Sequence, residues 1–434
     1  MMFPRTARQI AAVGAIASML ALSACSSDSD SAEGDVTLKV LTWRTDLVED
    51  GTFDEYAERF TEANPTINVE FEGITDYEGE VKTRMSTDNY GDVLGIVGTV
   101  QPNQLGDFFE PLGTVDEIEE TYRFVREKAY DGQVYGIPVV GNTQGIVYNK
   151  NVWAEAGLTD YPTTPEDFIA ALEKIKSSTD AVPMYTNYAA GWTLTQWEGH
   201  RGEISADPNY VNSLLETDNP WTQGSDHFVI DSLLYDTVAA GLIEEDPTTT
   251  DWELSKDLLA TGDVATMVLG SWAIVQMQQA AVDNGGAAED IGYMPFPYQV
   301  DGKFHGSVGG DYNQAINVNS EHKEEARLWI DWFNNESGYA ESQGGLSPLK
   351  DSPEPQVLQD FAAAGVEYVE QLPAEPGMEG KIDEIDNTAE IGLWQDMYRK
   401  RIIDAARGQA DETKEDIFAD LNARWKEARA EVMG

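Results

Sequence analysis

Residues 36–71, VTLKVLTWRTDLVEDGTFDEYAERFTEANPTINVEF, decide the fold because three regular patterns follow one another within them. Apolar and polar residues alternate over 36–40, which predicts a β-strand that ends near Trp43. Apolar residues then recur at helical spacing, at Phe53, Tyr56, Ala57 and Phe60, and this helix closes before Pro65. Alternation returns over 67–71. A strand, a helix and a second strand form a βαβ unit, so we expect parallel pairing through a right-handed crossover.

The same succession of strands and helices continues along the chain. Residues 77–86 predict a helix and residues 93–97 an apolar strand. Thr164 before Pro165, with Asp167 in the first turn, is a helix-start signal. One face of a late helix carries Ile417, Leu421, Trp425 and Ala428. Together these patterns predict an α/β protein.

The charge balance excludes several classes of partner. The 434 residues contain 28 Lys plus Arg and 78 Asp plus Glu, which gives a formal net charge of −50. Such a field repels nucleic acids and anionic lipid surfaces. The 4 histidines have no second ligand at metal-binding spacing, so we expect neither a metal nor a cofactor. Residues 306–310, GSVGG, lack the lysine of a phosphate-binding loop, which favours a flexible crossing segment over a nucleotide site.

The first 24 residues have the pattern of an export signal. Arg5 and Arg8 precede an apolar run over 10–22. Cys25, the single cysteine of the chain, closes the run Leu22-Ser23-Ala24-Cys25, which resembles the bacterial lipobox, where a peptidase cuts and lipid is attached. Residues 25–35 then predict a lipidated cysteine and a flexible tether, at the extracytoplasmic face of the cell membrane. An ordinary signal peptide, or a short anchor helix with a chance cysteine, is the alternative.

Six segments, in order along the chain, carry a resemblance to a known family. They are FTEANPTINV (60–69), VYGIPVVGNTQGIVYNK (134–150), YPTTPEDF (161–168), GDVATMVLGSWAI (262–274), IGYMPFP (291–297) and GGLSPLK (344–350). These segments resemble those of extracellular solute-binding proteins of carbohydrate ABC importers, the family that includes maltodextrin-binding protein. The loop at 98–103 departs from it, because it lacks the acidic and aromatic residues that many relatives have there.

The resemblance implies a periplasmic-binding-protein-like fold of two α/β lobes with a ligand cleft between them. The crossing segments would be 138–144, 306–311 and 345–350. The N-terminal lobe would comprise 36–141 plus 311–344, and the C-terminal lobe 142–310 plus 345–434. A monomer of this kind would capture a neutral sugar or short oligosaccharide, close around it, and deliver it to the transmembrane subunits of a permease, without catalysis.

Sugar binding needs flat aromatic platforms and planar polar groups, and several residues are placed to supply them. Trp43 follows the first strand, where open α/β sheets place ligands, and Trp272 aligns with a ligand-facing tryptophan of the family. The full set of predicted ligand-binding residues is Trp43, Arg44, Asp46, Asn142, Thr143, Gln144, Trp192, Trp197, Trp272, Asp311, Tyr312 and Trp394. The helical patterns around Trp329, Trp332 and Trp425 predict core positions instead.

Three other functions stay open at the level of sequence. A receptor of the same fold could bind a polyol, a phosphorylated polyol or a peptide, although a phosphate would require clustered basic residues and the candidate loops offer little beyond Arg44 and Lys350. An extracellular glycosidase would require two carboxylates around the scissile bond. A purely structural surface protein would bind no small ligand.

Overall fold

The computed structural model of the protein describes residues 36–434. The predicted signal peptide, the lipidated Cys25 and the tether therefore lie outside the described residues. Within 36–434, no helix has both the length and the apolar character needed to cross a membrane.

The described residues alternate between strands and helices in the way the sequence predicts. The strands are β1 Val36–Thr42, β2 Ile67–Gly73, β3 Val93–Gly95, β4 Gly113–Thr114, β5 Ala129–Tyr130, β6 Gln133–Val134, β7 Ile137–Asn149, β8 Thr266–Gly270, β9 Ile291–Met294, β10 Gln299–Val300, β11 Lys303–Ile316 and β12 Glu367–Glu370. The α-helices up to residue 240 are α1 Thr45–Glu49, α2 Thr52–Ala63, α3 Tyr77–Arg84, α4 Leu105–Phe108, α5 Val115–Glu119, α6 Lys150–Glu155, α7 Pro165–Ser178, α8 Tyr210–Ser213 and α9 Asp226–Ala239. The later helices are α10 Trp252–Thr261, α11 Ala273–Asp283, α12 Lys323–Glu336, α13 Tyr339–Ser342, α14 Gln359–Ala363, α15 Lys381–Ala389, α16 Met397–Ala406 and α17 Lys414–Met433. Short 3₁₀ helices lie at Pro102–Gln104, Val125–Lys128, Trp192–His200, Pro247–Thr249, Ala288–Asp290 and Gln356–Leu358.

The predicted βαβ unit is confirmed. β1 pairs with β2 in parallel over its whole length, from Val36 opposite Ile67 to Thr42 opposite Gly73. Helix α2 connects them and buries Phe53 and Phe60, as its apolar spacing indicates. β3 adds a parallel neighbour on the other side of β1.

Two long strands, β7 and β11, run through both parts of the main sheet. They pair antiparallel between 137–143 and 308–314. On one side, β11 continues to β3, β1 and β2, which we call the first half-sheet. On the other side, β7 pairs with β8 and β9, and β11 pairs with β10 and β12, which we call the second half-sheet. The predicted crossing segments 138–144 and 306–311 are therefore extended strand. The segment 306–310, which the sequence predicts to be flexible, is instead held by pairing with β7 and β12.

A third segment meets the crossing strands at the same place. The backbone of Gly141 bonds that of Leu346 twice. The Gly141 N–H donates to the Leu346 carbonyl with an N to O distance of 2.6 Å, and the Leu346 N–H donates to the Gly141 carbonyl at 2.7 Å. Leu346 belongs to the predicted crossing 345–350, which contains no regular element. All three predicted crossings thus meet within one hydrogen-bonded strip.

Separate apolar cores cover the two half-sheets. In the first, Trp329 of α12 packs edge-on against Phe60 at 5.2 Å between ring centroids. In the second, α7, α9, α16 and α17 contribute one large cluster that includes Trp425. Trp329, Trp332 and Trp425 are buried, so the prediction that they are core residues is confirmed.

A buried ionic cluster anchors the 3₁₀ helix Trp192–His200 to α16. Glu198 of that helix and Asp231 of α9 both pair with the fully buried Arg399. Burial alone would raise the pKa of Glu198, but Arg201, His227 and Arg399 hold it well below its usual value. Because breaking a buried pair leaves an uncompensated charge, this cluster fixes the position of the helix that carries Trp192.

Candidate functional site

A cavity of about 620 Å³ lies against the crossing strands. Both half-sheets contribute to it: Trp43 and Arg44 follow β1, whereas Trp272 follows β8. Val140, Asn142 and Gln144 all line it because alternate residues of a strand project to the same face.

The first wall of the cavity is a stacked aromatic pair. The rings of Trp43 and Tyr312 lie 3.8 Å apart between centroids at an interplanar angle of 18°. Tyr77 meets both rings edge-on at 5.7 Å, and its hydroxyl bonds the backbone of Gly95. A Cβ on Gly95 would come within 3.0 Å of the Trp43 ring and 3.2 Å of the Tyr312 ring. A side chain at this position would therefore make both rings shift by a few tenths of an ångström from their present stack.

The opposite wall is a cluster of three tryptophans. Trp192 lies 4.9 Å from Trp252 and 5.7 Å from Trp272, and Trp252 lies 5.7 Å from Trp272. The Trp272 Nε1–H donates to Gln196 Oε1 at 3.3 Å, which fixes the orientation of the indole. Trp192 keeps 40% of its surface exposed, so the cluster presents aromatic area to the cavity.

Between the walls, the crossing strands form a polar floor. Asn142 Nδ2 donates to Asp311 Oδ2 at 3.1 Å, and Asn142 Oδ1 accepts from Ser271 Oγ at 3.2 Å. Ser271 immediately precedes Trp272, so these bonds connect the floor to the tryptophan cluster. Burial raises the pKa of Asp311 to about 6, although the hydrogen bond from Asn142 opposes that shift. Above that pH the carboxylate is charged and can accept hydrogen bonds.

Arg44 at the rim of the cavity is already paired. Its guanidinium donates to Asp46 through Nε at 2.8 Å and through Nη2 at 2.6 Å. Its Nη1 donates to Gln343 Oε1 and to the Tyr339 hydroxyl. The positive charge at this rim is therefore largely neutralised from within the protein.

The structure brings most of the predicted site residues together at this cavity. Those that line it are Trp43, Arg44, Asn142, Gln144, Trp192, Trp272, Asp311 and Tyr312. Their contact with a ligand stays a prediction.

Four predicted residues lie elsewhere. The Asp46 side chain is 62% exposed and does not line the cavity, although it pairs with Arg44, which does. Thr143 is fully buried, because its position in β7 alternates with Asn142 and Gln144. Trp197 is only 2% exposed and packs in the core of the second half-sheet, not at the cavity where a ligand-binding residue is expected. Trp394 lines a different groove.

Among the lining residues outside the predicted set, five have polar or aromatic side chains: Gln196, Trp252, Gln276, Tyr339 and Gln343. A signal was present for Trp252, which follows the helix-capping residue Asp251 just as Trp272 follows Ser271 at a helix start. The three glutamines are half-buried, two of them on helices and Gln343 in the turn after α13, and no local pattern distinguishes them from ordinary surface residues.

Comparisons with known proteins agree with this geometry. The sequence profile of the bacterial extracellular solute-binding protein family matches residues 44–340. The multiple sugar-binding protein of Streptococcus mutans is 24% identical over 332 residues, 74% of this chain and 76% of that protein. The diacetylchitobiose binding protein DasA of Streptomyces coelicolor is 24% identical over 338 residues, with the same coverage.

Solved structures extend the similarity over more than nine-tenths of the chain. The ABC-transporter binding protein BlMnBP1 of Bifidobacterium animalis subsp. lactis, in complex with mannobiose, is 35% identical with a TM-score of 0.85, over 92% of this chain and 95% of that one. The manno-oligosaccharide-specific BlMnBP2 of the same organism, in complex with mannotriose, is 32% identical with a TM-score of 0.85, over 93% and 96%. The predicted periplasmic-binding-protein-like fold is confirmed, and the chain belongs to the bacterial extracellular solute-binding protein family.

Proposed function

We propose that this protein is the lipid-anchored substrate-binding component of an ABC importer, and that it captures a neutral manno-oligosaccharide of two or three units. The observation that carries the proposal is the cavity itself, which is lined by two aromatic groups and by amide and carboxylate groups. Pyranose rings present apolar C–H faces and a rim of hydroxyls, and this arrangement complements both.

The charges at the cavity favour a neutral ligand. Arg44 is the only cationic residue among those described as lining it, and its donors already bond to Asp46, Gln343 and Tyr339. A phosphorylated polyol would need free, clustered donors of positive charge. Asn142, Gln144 and Asp311 instead offer uncharged donors and a set of acceptors, which suit hydroxyl groups.

The same lining favours binding over hydrolysis. Glycoside cleavage requires two carboxylates roughly 5–10 Å apart around the scissile bond. Asp311 is the only carboxylate among the residues that the structure places in the cavity wall. Because Asn142 and Gln144 occupy the neighbouring floor positions, a second acid is lacking where it would be needed.

Two relatives support mannose as the sugar. BlMnBP1 and BlMnBP2 are the two compared proteins above 30% identity, and their structures contain mannobiose and mannotriose. A cavity of about 620 Å³ also lies within the range of roughly 300–1,000 Å³ that small-molecule sites occupy.

We further propose the mechanism of capture and delivery. The lobes 36–141 plus 311–344 and 142–310 plus 345–434 would rotate about the three crossings and close on the sugar. A closed form gains contacts with both walls, so ligand shifts the population towards it. The transmembrane subunits of a permease would then recognise the closed form, while the lipid on Cys25 holds the protein at the extracytoplasmic face of the membrane.

A thermal-shift and calorimetric screen of the purified protein tests the function. Mannobiose and mannotriose are compared with maltotriose, raffinose, diacetylchitobiose and a phosphorylated hexitol at equal concentration. We expect the manno-oligosaccharides to stabilise the protein most, by about 2.7 kcal/mol when the sugar is present at roughly 100 times its Kd. Stabilisation by the phosphorylated hexitol alone, or by no carbohydrate at all, would contradict the proposal.

A further inference from the structure

The side chain of Gln144, which lines the cavity, packs against two glycines. Gln144 lies opposite Gly270 in the pairing of β7 with β8, and a Cβ on Gly270 would lie 3.5 Å from Gln144 Nε2. A Cβ on Gly199 would lie 2.6 Å from Gln144 Cδ, 2.7 Å from Cγ and 2.9 Å from Oε1, well inside the distance at which such atoms pack. The amide therefore occupies a notch between the two glycines, and on the side of Gly199 this notch exists only because that residue has no side chain.

The backbone does not require glycine at either position. Gly199 lies in a 3₁₀ helix and Gly270 in β8, and neither has a positive φ. Glycine without such a conformation weakens helices and strands relative to alanine, and in a strand it often marks a close approach. Glu198, the residue before Gly199, pairs with the buried Arg399, so the helix is held in place beside Gln144. The space that the Gln144 amide occupies is therefore what accounts for Gly199.

The amide in this notch has bonding capacity left over. Gln144 Oε1 is buried and has no hydrogen-bond partner among residues 36–434. Its neighbour in the floor, Asn142, already bonds Asp311 and Ser271. Because buried polar groups in native proteins are nearly always bonded, an unmet amide in the lining of a cavity indicates a group that a polar ligand completes.

We propose that Gly199 is a positioning residue for sugar binding, which holds the Gln144 amide in the orientation that bonds a sugar hydroxyl. The inference rests on the proposed function, and it adds a residue that does not itself line the cavity. A Cβ at position 199 would drive the amide out of the notch. The ring of Trp272 closes the side of Gly270, where a Cβ would lie 2.7 Å from its Cδ1 and Nε1, so the displaced amide moves into the cavity. The hydroxyl then loses its partner, and the sugar loses volume.

A double-mutant cycle, measured by isothermal titration of the purified full-length protein with mannotriose, tests this inference. Gly199→Ala and Gln144→Ala should each raise Kd roughly three- to tenfold, the effect of one lost hydrogen bond. The double variant should bind within about twofold of Gln144→Ala alone, because Gly199 acts only through the amide. In denaturation curves, Gly199→Ala should not be less stable than the unaltered protein, since alanine suits a helix better than glycine.

Two further glycines serve as controls. Gly98→Ala should leave Kd within twofold, because its Cβ would lie 3.8 Å from Glu78 Oε2, an ordinary contact, and Gly98 does not line the cavity. Gly270→Ala should weaken binding even in the Gln144→Ala background, because its Cβ collides with Trp272 as well. The cycle with Gln144 therefore removes the effect of Gly199 and not that of Gly270.

The outcomes separate this inference from the proposed function. The inference is overturned if Gly199→Ala leaves Kd for mannotriose within twofold, or if it weakens binding equally with and without Gln144, which would make its role structural. Should Gly199→Ala unfold the protein, Gln144→Ala must restore folding, and failure to restore it also overturns the inference. In all of these cases the unaltered protein still binds manno-oligosaccharide. An unaltered protein that binds none overturns the proposed function, and this inference with it.

Discussion

Replacing Trp272 by alanine distinguishes a ligand platform from a core aromatic. The indole contacts Trp192 and Trp252, each at 5.7 Å, and donates one hydrogen bond to Gln196. Because the tryptophan cluster borders the cavity and Trp192 is well exposed, each aromatic contact contributes at the low end of its range. At about 0.5 kcal/mol for each pair and about 0.5–1 kcal/mol for the hydrogen bond, the free energy of unfolding falls by roughly 1.5–2 kcal/mol.

The affinity for sugar should fall by more. A tryptophan that stacks on a desolvated ring behaves as a binding hot spot, whose truncation costs on the order of 2 kcal/mol or more. At about 1.4 kcal/mol for each tenfold change, Kd for mannotriose rises roughly thirtyfold or more. Isothermal titration measures Kd, and a denaturation curve on the same preparation measures the change in stability.

Trp329→Ala is the matched control for this substitution. Its ring is fully buried and contacts Phe60, Phe71 and Phe333 within 5.5 Å between centroids. Truncating it should cost about 3–5 kcal/mol of stability and leave Kd unchanged in the protein that still folds. The assignment of Trp272 as a ligand platform is refuted if Trp272→Ala lowers stability as much as Trp329→Ala does while Kd for every sugar stays within twofold.

Three further predictions address anchoring, pH and closure. Cys25→Ser should release the protein from the membrane fraction or leave it unprocessed, and unchanged fractionation would contradict lipid anchoring. Lowering the pH from 7 to 5 should weaken sugar binding. Burial raises the pKa of Asp311 to about 6, so its carboxylate takes up a proton in this range and loses an acceptor. In titrations, the Asp311→Asn variant should bind sugar more weakly and lose this pH dependence. Because the pKa of Asp311 is higher in the folded state than in the unfolded state, the folded state binds the proton more tightly. Protonation of Asp311 therefore stabilises the fold as the pH falls through about 6, and this contribution is lost above that pH. Mannotriose should reduce the radius of gyration measured by small-angle scattering. If the free protein is open and binds mannotriose tightly with no fall in the radius of gyration, hinge closure is contradicted.

The local elements were predictable because their signals are local. The Thr164 cap is present, with its hydroxyl accepting from the Asp167 N–H at 3.1 Å, and α7 begins at Pro165 as expected. Helix α17 buries the predicted face, including Leu421 and Trp425. The sequence of 306–310 predicts a flexible crossing segment because glycines weaken strand propensity. Pairing with β7, which lies more than 150 residues earlier in the chain, overrides that propensity.

The site residues were predictable where their positions depend on the end of a strand or on the alternation of side chains between the two faces of a strand. Trp43 lies at the end of β1, and Asn142 and Gln144 share one face of β7, so their convergence follows from the sheet. The positions of Trp197 and Trp394 depend instead on how the 3₁₀ helix and a late loop pack. A tryptophan in an irregular segment carries no periodicity that separates core from surface, so only the tertiary structure assigns it.

The same strands form the floor of the cavity and the crossing between the half-sheets, so in the proposed closure binding would be coupled to movement. Asn142 and Asp311 lie within the paired run of β7 and β11, so a rotation about that run moves the polar floor relative to both aromatic walls. The buried cluster around Arg399 keeps the helix of Trp192 rigid, so the second wall moves as a unit rather than repacking. A sugar that bonds the floor and stacks on both walls stabilises only the arrangement in which all three fit it. In the proposed mechanism, the contacts that give affinity are therefore present in the closed form and absent from the open form. A ligand can shift the population of the two forms only when it binds one of them more tightly.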